Sequence, residues 1–388
     1  MNFRPLYLAV IQFVFVSTWT LYVVFLPELL LRAGIEKAWL PRILLIDQLL
    51  MVVFDFGFGV AAARGMQRYG RIAPAILGVS LASCLAFLLL PQAGSSAPLL
   101  LGLTVAWVIS SSALRAPLYA LLSRHAATSE RASIAGAMTL GIAAAGTLAP
   151  WLGLQLKGLD PALPFVVSSL VLAALVLPLA AAARAAGIKP DSSDAPQTNP
   201  QTNPVPAGSF FILLLAGALA FQIFFNLAAA PGYVRHFGAN ALVWLMPLFW
   251  IGVAAGSLLA GPLARRTSPV AGFTAGCILS ALAALLFQYG GAAPLTPIGQ
   301  ALGGIGWGIA LCSAFSIAER YSTGNGGARM VGALFSMLAL AAVTRIGLNL
   351  AGLADTALSM PAFLWLIAGA ALLVAMTRKP PRDNRQVG

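Results

Sequence analysis

The chain has 388 residues, of which 60% are hydrophobic and only 9% charged, with a formal net charge of +12. A water-soluble body of this size cannot hide so much apolar surface, so a soluble enzyme or nucleic-acid-binding domain is excluded and a membrane protein is indicated. The basic residues stand in short loops between apolar runs, where they signal orientation in a bilayer and not a nucleic-acid footprint.

Twelve apolar segments follow one another, near residues 5–30, 38–63, 72–91, 97–123, 132–157, 160–183, 209–231, 239–264, 268–289, 293–319, 328–353 and 358–377. Each is long enough to cross roughly 30 Å of hydrocarbon as a helix. Alternating ten-residue strands are absent from the pattern, so the backbone must satisfy itself within helices. The expected fold class is an all-α membrane protein. Twelve transmembrane helices form two pseudo-symmetric six-helix bundles, residues 1–184 and 208–388, joined by a cytoplasmic linker over 185–207. That linker is rich in Pro, Asn and Ser and repeats Gln-Thr-Asn-Pro at 197–200 and 201–204. Such a stretch cannot bury a core.

Span 1 carries Gln12, Trp19 and Tyr22 and lacks a small-residue cleavage site, so it reads as a retained helix and not a signal peptide. Span 2 carries Asp47 and Asp55, span 4 carries Arg115, and span 11 carries Arg345. An ionisable group within a membrane span costs several kcal/mol unless it is paired or faces water, so these four are candidate functional residues. At ~1.5 Å per residue, Asp55 and Arg115 lie at matching depth, about eight residues from the cytoplasmic ends of their spans. They are expected to form a coupling or substrate-binding pair, or a structural ion pair. Asp47 and Arg345 match nearer the outer side and are expected to form a gate between the bundles.

Further along, Gln222 and Asn226 on span 7 stand one turn apart on one face. Trp307 lies on span 10 and Asn349 on span 11. With Gln12, Trp19 and Tyr22 they are the expected lining of a substrate cavity. The run Gly303-Gly304-Ile305-Gly306-Trp307-Gly308 follows no strand, so it reads as helix packing and not a nucleotide loop. Trp244 and Trp250 read as packing residues. Cys84, Cys277 and Cys312 all lie inside apolar segments with no disulfide or metal spacing. No metal site, cofactor or catalytic constellation is expected.

Sixteen of the 23 Lys and Arg residues fall on the side of the two termini and the linker, five on the other, and two within spans. This bias places both termini and the linker in the cytoplasm of a bacterial inner membrane.

The layout resembles the major facilitator superfamily. The loop after span 2, Gln67-Arg68-Tyr69-Gly70-Arg71, resembles that family's D-R-x-G-R loop, with Gln in place of the acid. The loop after span 8, Gly261-Pro262-Leu263-Ala264-Arg265-Arg266, resembles its counterpart G-x-L-A-D-R, again without the acid. The resemblance implies close helix approach at the glycines and tight cytoplasmic turns anchored by the arginines. Asp55, Gly59, Arg68, Gly70, Arg71 and Pro74, with Arg115, Pro117 and Tyr119 on span 4, are also similar to melibiose-permease-type (glycoside–pentoside–hexuronide) cation symporters. That family combines two acids one turn apart on span 2 with an acid on span 4. Met51 and Arg115 stand at two of those places here, so the sodium site is incomplete.

Span 5 carries Gly136, Ala145, Ala149, Pro150 and Gly153. This resembles the G-x8-G-x3-G-P-x2-G pattern of drug and metabolite antiporters, and reads equally as a small-residue packing face. The expected function is proton-coupled secondary transport of a small polar or anionic organic solute by alternating access, in a monomer whose partners are that solute, H+ and the lipid bilayer. A proton antiporter exporting a drug or metabolite is the alternative.

Overall fold

The computed structural model describes residues 4–65, 69–123, 128–186, 206–320 and 326–377. Among these described residues, twelve helical units run in chain order. The first six are α1 Arg4–Arg32, α2 Leu40–Gly65, α3 Tyr69–Leu89, α4 Ala97–Ser123, α5 Thr128–Gln155 and α6 Ala162–Ala186. The second six are α7 Ala207–Phe237, α8 Pro247–Arg266, α9 Pro269–Tyr289, α10 Leu295–Arg320, α11 Gly327–Leu350 and α12 Pro361–Thr377. Among the described residues, ten helices are long and apolar enough to cross a membrane, and Ala162–Pro178 and Pro361–Val374 are shorter apolar stretches.

The helix ends follow from local chemistry. Past α1, Gly34 takes φ +74°, and the Ile35 amide reaches back to the Leu30 carbonyl at 2.8 Å. Past α11, Gly352 takes φ +71°, and the Leu353 amide reaches the Leu348 carbonyl at 2.9 Å. Both are left-handed glycine stops that satisfy the last free carbonyls. The Ser268 hydroxyl accepts from the Ala271 amide at 3.1 Å and starts α9, with Pro269 in its first turn where no amide is needed.

Two helices are broken, one in each half. α4 is helical over Ala97–Ser111, tightens to a 3-10 turn over Ser112–Leu114, leaves the helical basin at Arg115, and resumes over Ala116–Ser123. Pro117 sits in the first turn of the resumed helix, a place proline tolerates. α7 passes through a π-helical turn over Phe224–Ala228. Pro231, four residues beyond Leu227, supplies no amide to that carbonyl, which favours the bulge. A glutamine from another helix serves each break. Gln12 of α1 donates to the Leu114 carbonyl at 2.8 Å, and Gln300 of α10 donates to the Phe224 carbonyl at 3.4 Å.

Within the first half, α1 packs on α5, and α3 packs on α4 and α6; within the second, α10 packs on α8 and α9, and α7 packs on α11 and α12. The glycine run of α10 divides its faces between neighbours. Gly304 and Gly308 abut the α8 backbone at Phe249 and Val253, Gly306 abuts Ser280 and Gly276 of α9, and Gly303 abuts the Phe224 ring. The packing expected of this run is what the structure places there.

The halves meet mainly through α2 against α11 and α5 against α8. A Cβ on Gly59 would stand 2.7 Å from the Ala328 carbonyl and 3.0 Å from the Gly332 Cα, so the two backbones are in near contact. The Ser336 hydroxyl donates to the Val52 carbonyl at 2.8 Å. Tyr119 of α4 stacks on Phe315 of α10 at 5.1 Å, and the Cys312 thiol reaches Thr139 Oγ1 of α5 at 3.5 Å. These contacts gather toward the end where α2 finishes and α11 begins, so that end is closed.

Two expectations need correction. Trp244 is 74% exposed and lies outside the packed interior, unlike Trp250, which covers Gly146 of α5. An added Cβ on Gly261 would meet no atom within 4 Å, so the close helix approach expected there is absent.

Candidate functional site

Among the described residues, the charges inside the apolar body fall in three polar clusters. The first joins α2, α4 and α11. Arg115 Nη1 donates to Asp55 Oδ2 at 2.5 Å, with Asp55 fully buried. Among the described residues the other ion pair, Arg32–Glu28, is at the surface. The second oxygen, Asp55 Oδ1, is buried without a well-formed hydrogen bond, as is the hydroxyl of Ser112, which faces the same carboxylate. The Arg115 guanidinium lies 4.4 Å from the centroid of the Phe335 ring of α11. On the backbone side, a Cβ on Gly332 would stand 2.7 Å from the Asp55 carbonyl. The pair is therefore built into the junction between the halves. Two opposite charges in a low-dielectric setting attract strongly, and the same setting makes loss of either partner costly.

The second cluster is in the first half. Tyr22 donates its hydroxyl to Asp47 Oδ2 at 2.7 Å, and both residues are buried. Trp107 packs over this pair, its ring 4.8 Å from Tyr22 and 4.5 Å from Trp19. The indole nitrogen of Trp19 is buried without a partner.

The third cluster joins α7 and α11. Arg345 Nε donates to Gln222 Oε1 at 3.0 Å, and Asn226 Nδ2 donates to the same oxygen at 3.0 Å. Asn226 belongs to the π turn and is exposed, as is Asn349 one turn beyond Arg345. Asp47 and Arg345 are thus each held within their own half, with no ion pair between them in this conformation.

The expected cavity lining divides. Gln222, Asn226 and Asn349 retain exposure, while Gln12 at 1%, Tyr22 at 0% and Trp307 at 2% are closed off. Those three are corrections to the expected lining. Gln12 is spent on the Leu114 carbonyl, Tyr22 on Asp47, and Trp307 stacks on Phe221 at 5.4 Å inside the second bundle. Gln300 and Ser112 were not anticipated. Pro231 and Pro117, which mark helix breaks needing polar partners, were the available signals.

Of the loop motifs, Arg68 lies outside the described residues. Gly70 and Arg71 fall in the first turn of α3, and Arg265 and Arg266 end α8, where Thr267 closes a short turn onto the Leu263 carbonyl at 2.9 Å.

No family model matches the sequence, and no curated protein matches it either. Solved structures do. The human organic anion transporter MFSD10 (TETRAN) is similar at a TM-score of 0.67 and 17% identity, over 95% of this chain and 98% of that one. The chain has the major facilitator fold. A bacterial homologue of the iron transporter ferroportin, in an outward-facing state, is similar at a TM-score of 0.72 and 12% identity, over 97% of this chain and 100% of that one. The Escherichia coli fucose:proton symporter FucP is similar at 0.64 and 15%, over 96% and 98%. At these identities the likeness concerns the fold.

Proposed function

We propose that this chain is a monomeric secondary transporter of the bacterial inner membrane that moves a small polar or anionic organic solute by alternating access, driven by protons. The observation that carries this reading is the buried Asp55–Arg115 pair at the closed junction, where Asp55 Oδ1 makes no well-formed hydrogen bond and faces only the Ser112 hydroxyl, so that a proton can be placed on it. The fold neighbours, an organic anion transporter and a fucose:proton symporter among them, support transport. The local resemblance to melibiose-permease-type symporters supports Asp55 and Arg115 as the coupling position, with a proton in place of sodium because the other acids are missing.

The Lys/Arg bias puts both termini and the linker in the cytoplasm, and residues 1–184 and 208–388 are the two moving bodies. The closed end is then cytoplasmic, and in this reading the transporter stands on the outward side of its cycle. The charged and polar groups around Asp55 are Arg115 and Ser112 from α4 and, on α11, Ser336, which holds the Val52 carbonyl. A proton on Asp55 cancels its charge and weakens the pair. Arg115 is then released from the carboxylate that orients it over Phe335, and the α2–α11 junction loosens toward the inward-facing form. As the cytoplasmic side opens, water reaches Asp55, the proton leaves, and the pair can re-form. Asp47 and Arg345 approach as the outer side shuts and form the outer gate there.

Purified protein in liposomes loaded with a pH-sensitive dye tests the coupling. Neutral sugars, zwitterionic amino acids and organic anions are added outside at equal pH. A saturable, solute-dependent acidification of the lumen is the expected result for at least one class. Solute entry with no proton movement contradicts coupling. The antiporter alternative rests on span 5, where Gly136 lies against the Ser257 carbonyl of α8. It predicts the opposite sign of proton flow, out of the lumen as solute enters.

A further inference from the structure

We infer that Arg345, Gln222 and Asn226 form the receptor for the charged group of the solute, and that the solute is an organic monoanion with a flat apolar body. This deepens the transport reading above and rests on it for the word solute, but not for the binding site itself.

The two arginines inside the membrane body are in different electrostatic situations. Arg115 is neutralised by Asp55 and covered by the Phe335 ring. Among the described residues Arg345 meets only neutral groups: its hydrogen bond is to an amide oxygen, and no carboxylate lies within ion-pair reach of it. A buried or half-buried guanidinium without a counter-charge is costly unless water or an anion completes it. Its position is nonetheless built. Nε is fixed by Gln222 Oε1, and Asn226 Nδ2 locks that oxygen in place. With Nε engaged, the two terminal nitrogens have no protein partner among the described residues. They are the part of the guanidinium that matches a carboxylate or sulfonate with two parallel hydrogen bonds.

The π turn adds to this. It holds Asn226 exposed on α7 and one residue away from Phe225, which is half-buried. Phe225 and Phe221 lie with their rings nearly parallel at 6.2 Å, and Trp250 meets both edge to face at 5.4 and 5.8 Å. Trp250 also covers Gly146 of the other half, so this aromatic wall borders the junction between the bundles. The ring faces are already stacked on Phe249 and Trp307, so a flat apolar body would lie along the part-exposed edges of this wall, and a single negative charge suits Arg345, the uncompensated arginine among the described residues of the membrane body.

The test uses the full chain purified in detergent, at constant ionic strength. Benzoate and benzenesulfonate are titrated against the neutral benzamide and benzenesulfonamide, with thermal stability and tryptophan fluorescence as readouts. Both anions should bind saturably and the amides should not. Arg345→Gln should weaken anion binding on the order of 10- to 100-fold, the worth of a charge-assisted hydrogen-bonded contact. Because that variant risks misfolding, Gln222→Glu is the second arm. It supplies the missing carboxylate beside Arg345, so it should melt at or above the wild-type temperature yet no longer bind either anion. Amides that bind as well as the anions, no binding by any of the four, or wild-type anion binding in Gln222→Glu would overturn the proposal. Anion binding with no movement into proteoliposomes overturns the transport reading and leaves the site standing. Anion transport that Arg345→Gln leaves untouched does the reverse.

Discussion

Asp55 and Arg115 meet at 2.5 Å on neighbouring helices of one half, while the Asp55 backbone carbonyl lies against Gly332 of the other. A side-chain ion pair and an inter-half backbone contact thus share one residue. The proton proposed for Asp55 would therefore act where the two bundles touch.

The pair also sets stability. Removing one partner of a buried ion pair costs about 3–5 kcal/mol because the other charge is stranded, whereas replacing both is far milder. Arg115→Gln alone should lower the melting temperature sharply. The double variant Asp55→Asn/Arg115→Gln should recover most of that loss. A thermal melt of the three proteins in one detergent checks this, and equal losses in the single and double variants would contradict it.

Gly59 and Gly332 allow the α2–α11 contact because neither carries a Cβ. A side chain at Gly59 would press on the Ala328 carbonyl, which belongs to rigid backbone. Gly59→Val is expected to shift the population away from the form closed at this end. Spin labels on the α2 and α11 ends should report a longer mean distance in the variant than in wild type.

Gln12 and Gln300 hold the carbonyls of the two broken helices. Stranding a buried acceptor costs about 1–3 kcal/mol. Gln12→Leu should therefore destabilise the protein by an amount in that range. Gln300→Leu should cost less, because its bond to Phe224 is the longer of the two at 3.4 Å against 2.8 Å. Denaturation monitored by tryptophan fluorescence gives both values.

Asp47 and Arg345 are proposed to approach only when the outer side shuts. Cysteines at these two positions should be joined by a short bifunctional thiol reagent more readily in the inward-facing form than in the form described here, since an Asp–Arg ion pair holds its Cα atoms farther apart than the about 7 Å a disulfide allows. Reaction before and after driving the transporter inward distinguishes the two. Equal cross-linking in both forms removes the gate.

The succession of apolar helices was legible from the apolar runs, because a bilayer imposes both length and continuity. The Asp55–Arg115 pair was legible from depth alone, since α2 and α4 belong to one half. Matching depth does not place Asp47 beside Arg345 in this conformation, because depth says nothing of azimuth, nor of how far apart two mobile halves stand. Tyr22 and Gln222, one helix away within the same half, were the partners instead. α7 was expected to end at 231 but continues to Phe237, because the π turn absorbs Pro231 without stopping the helix. Gln12 and Trp307 looked like cavity residues by type and span. Their burial depends on which face each presents, and an almost uniformly apolar helix does not mark its inner face in sequence.

The central claim is that a proton on Asp55 couples solute movement to the pH gradient. Its most direct test is Asp55→Asn in proteoliposomes, comparing gradient-driven accumulation with solute exchange at equal pH. Benzenesulfonate serves as the labelled solute because it stays charged and does not cross lipid unaided. The account predicts that Asp55→Asn loses accumulation under an inside-alkaline gradient while keeping exchange near the wild-type rate. Accumulation that survives unchanged in Asp55→Asn would contradict it.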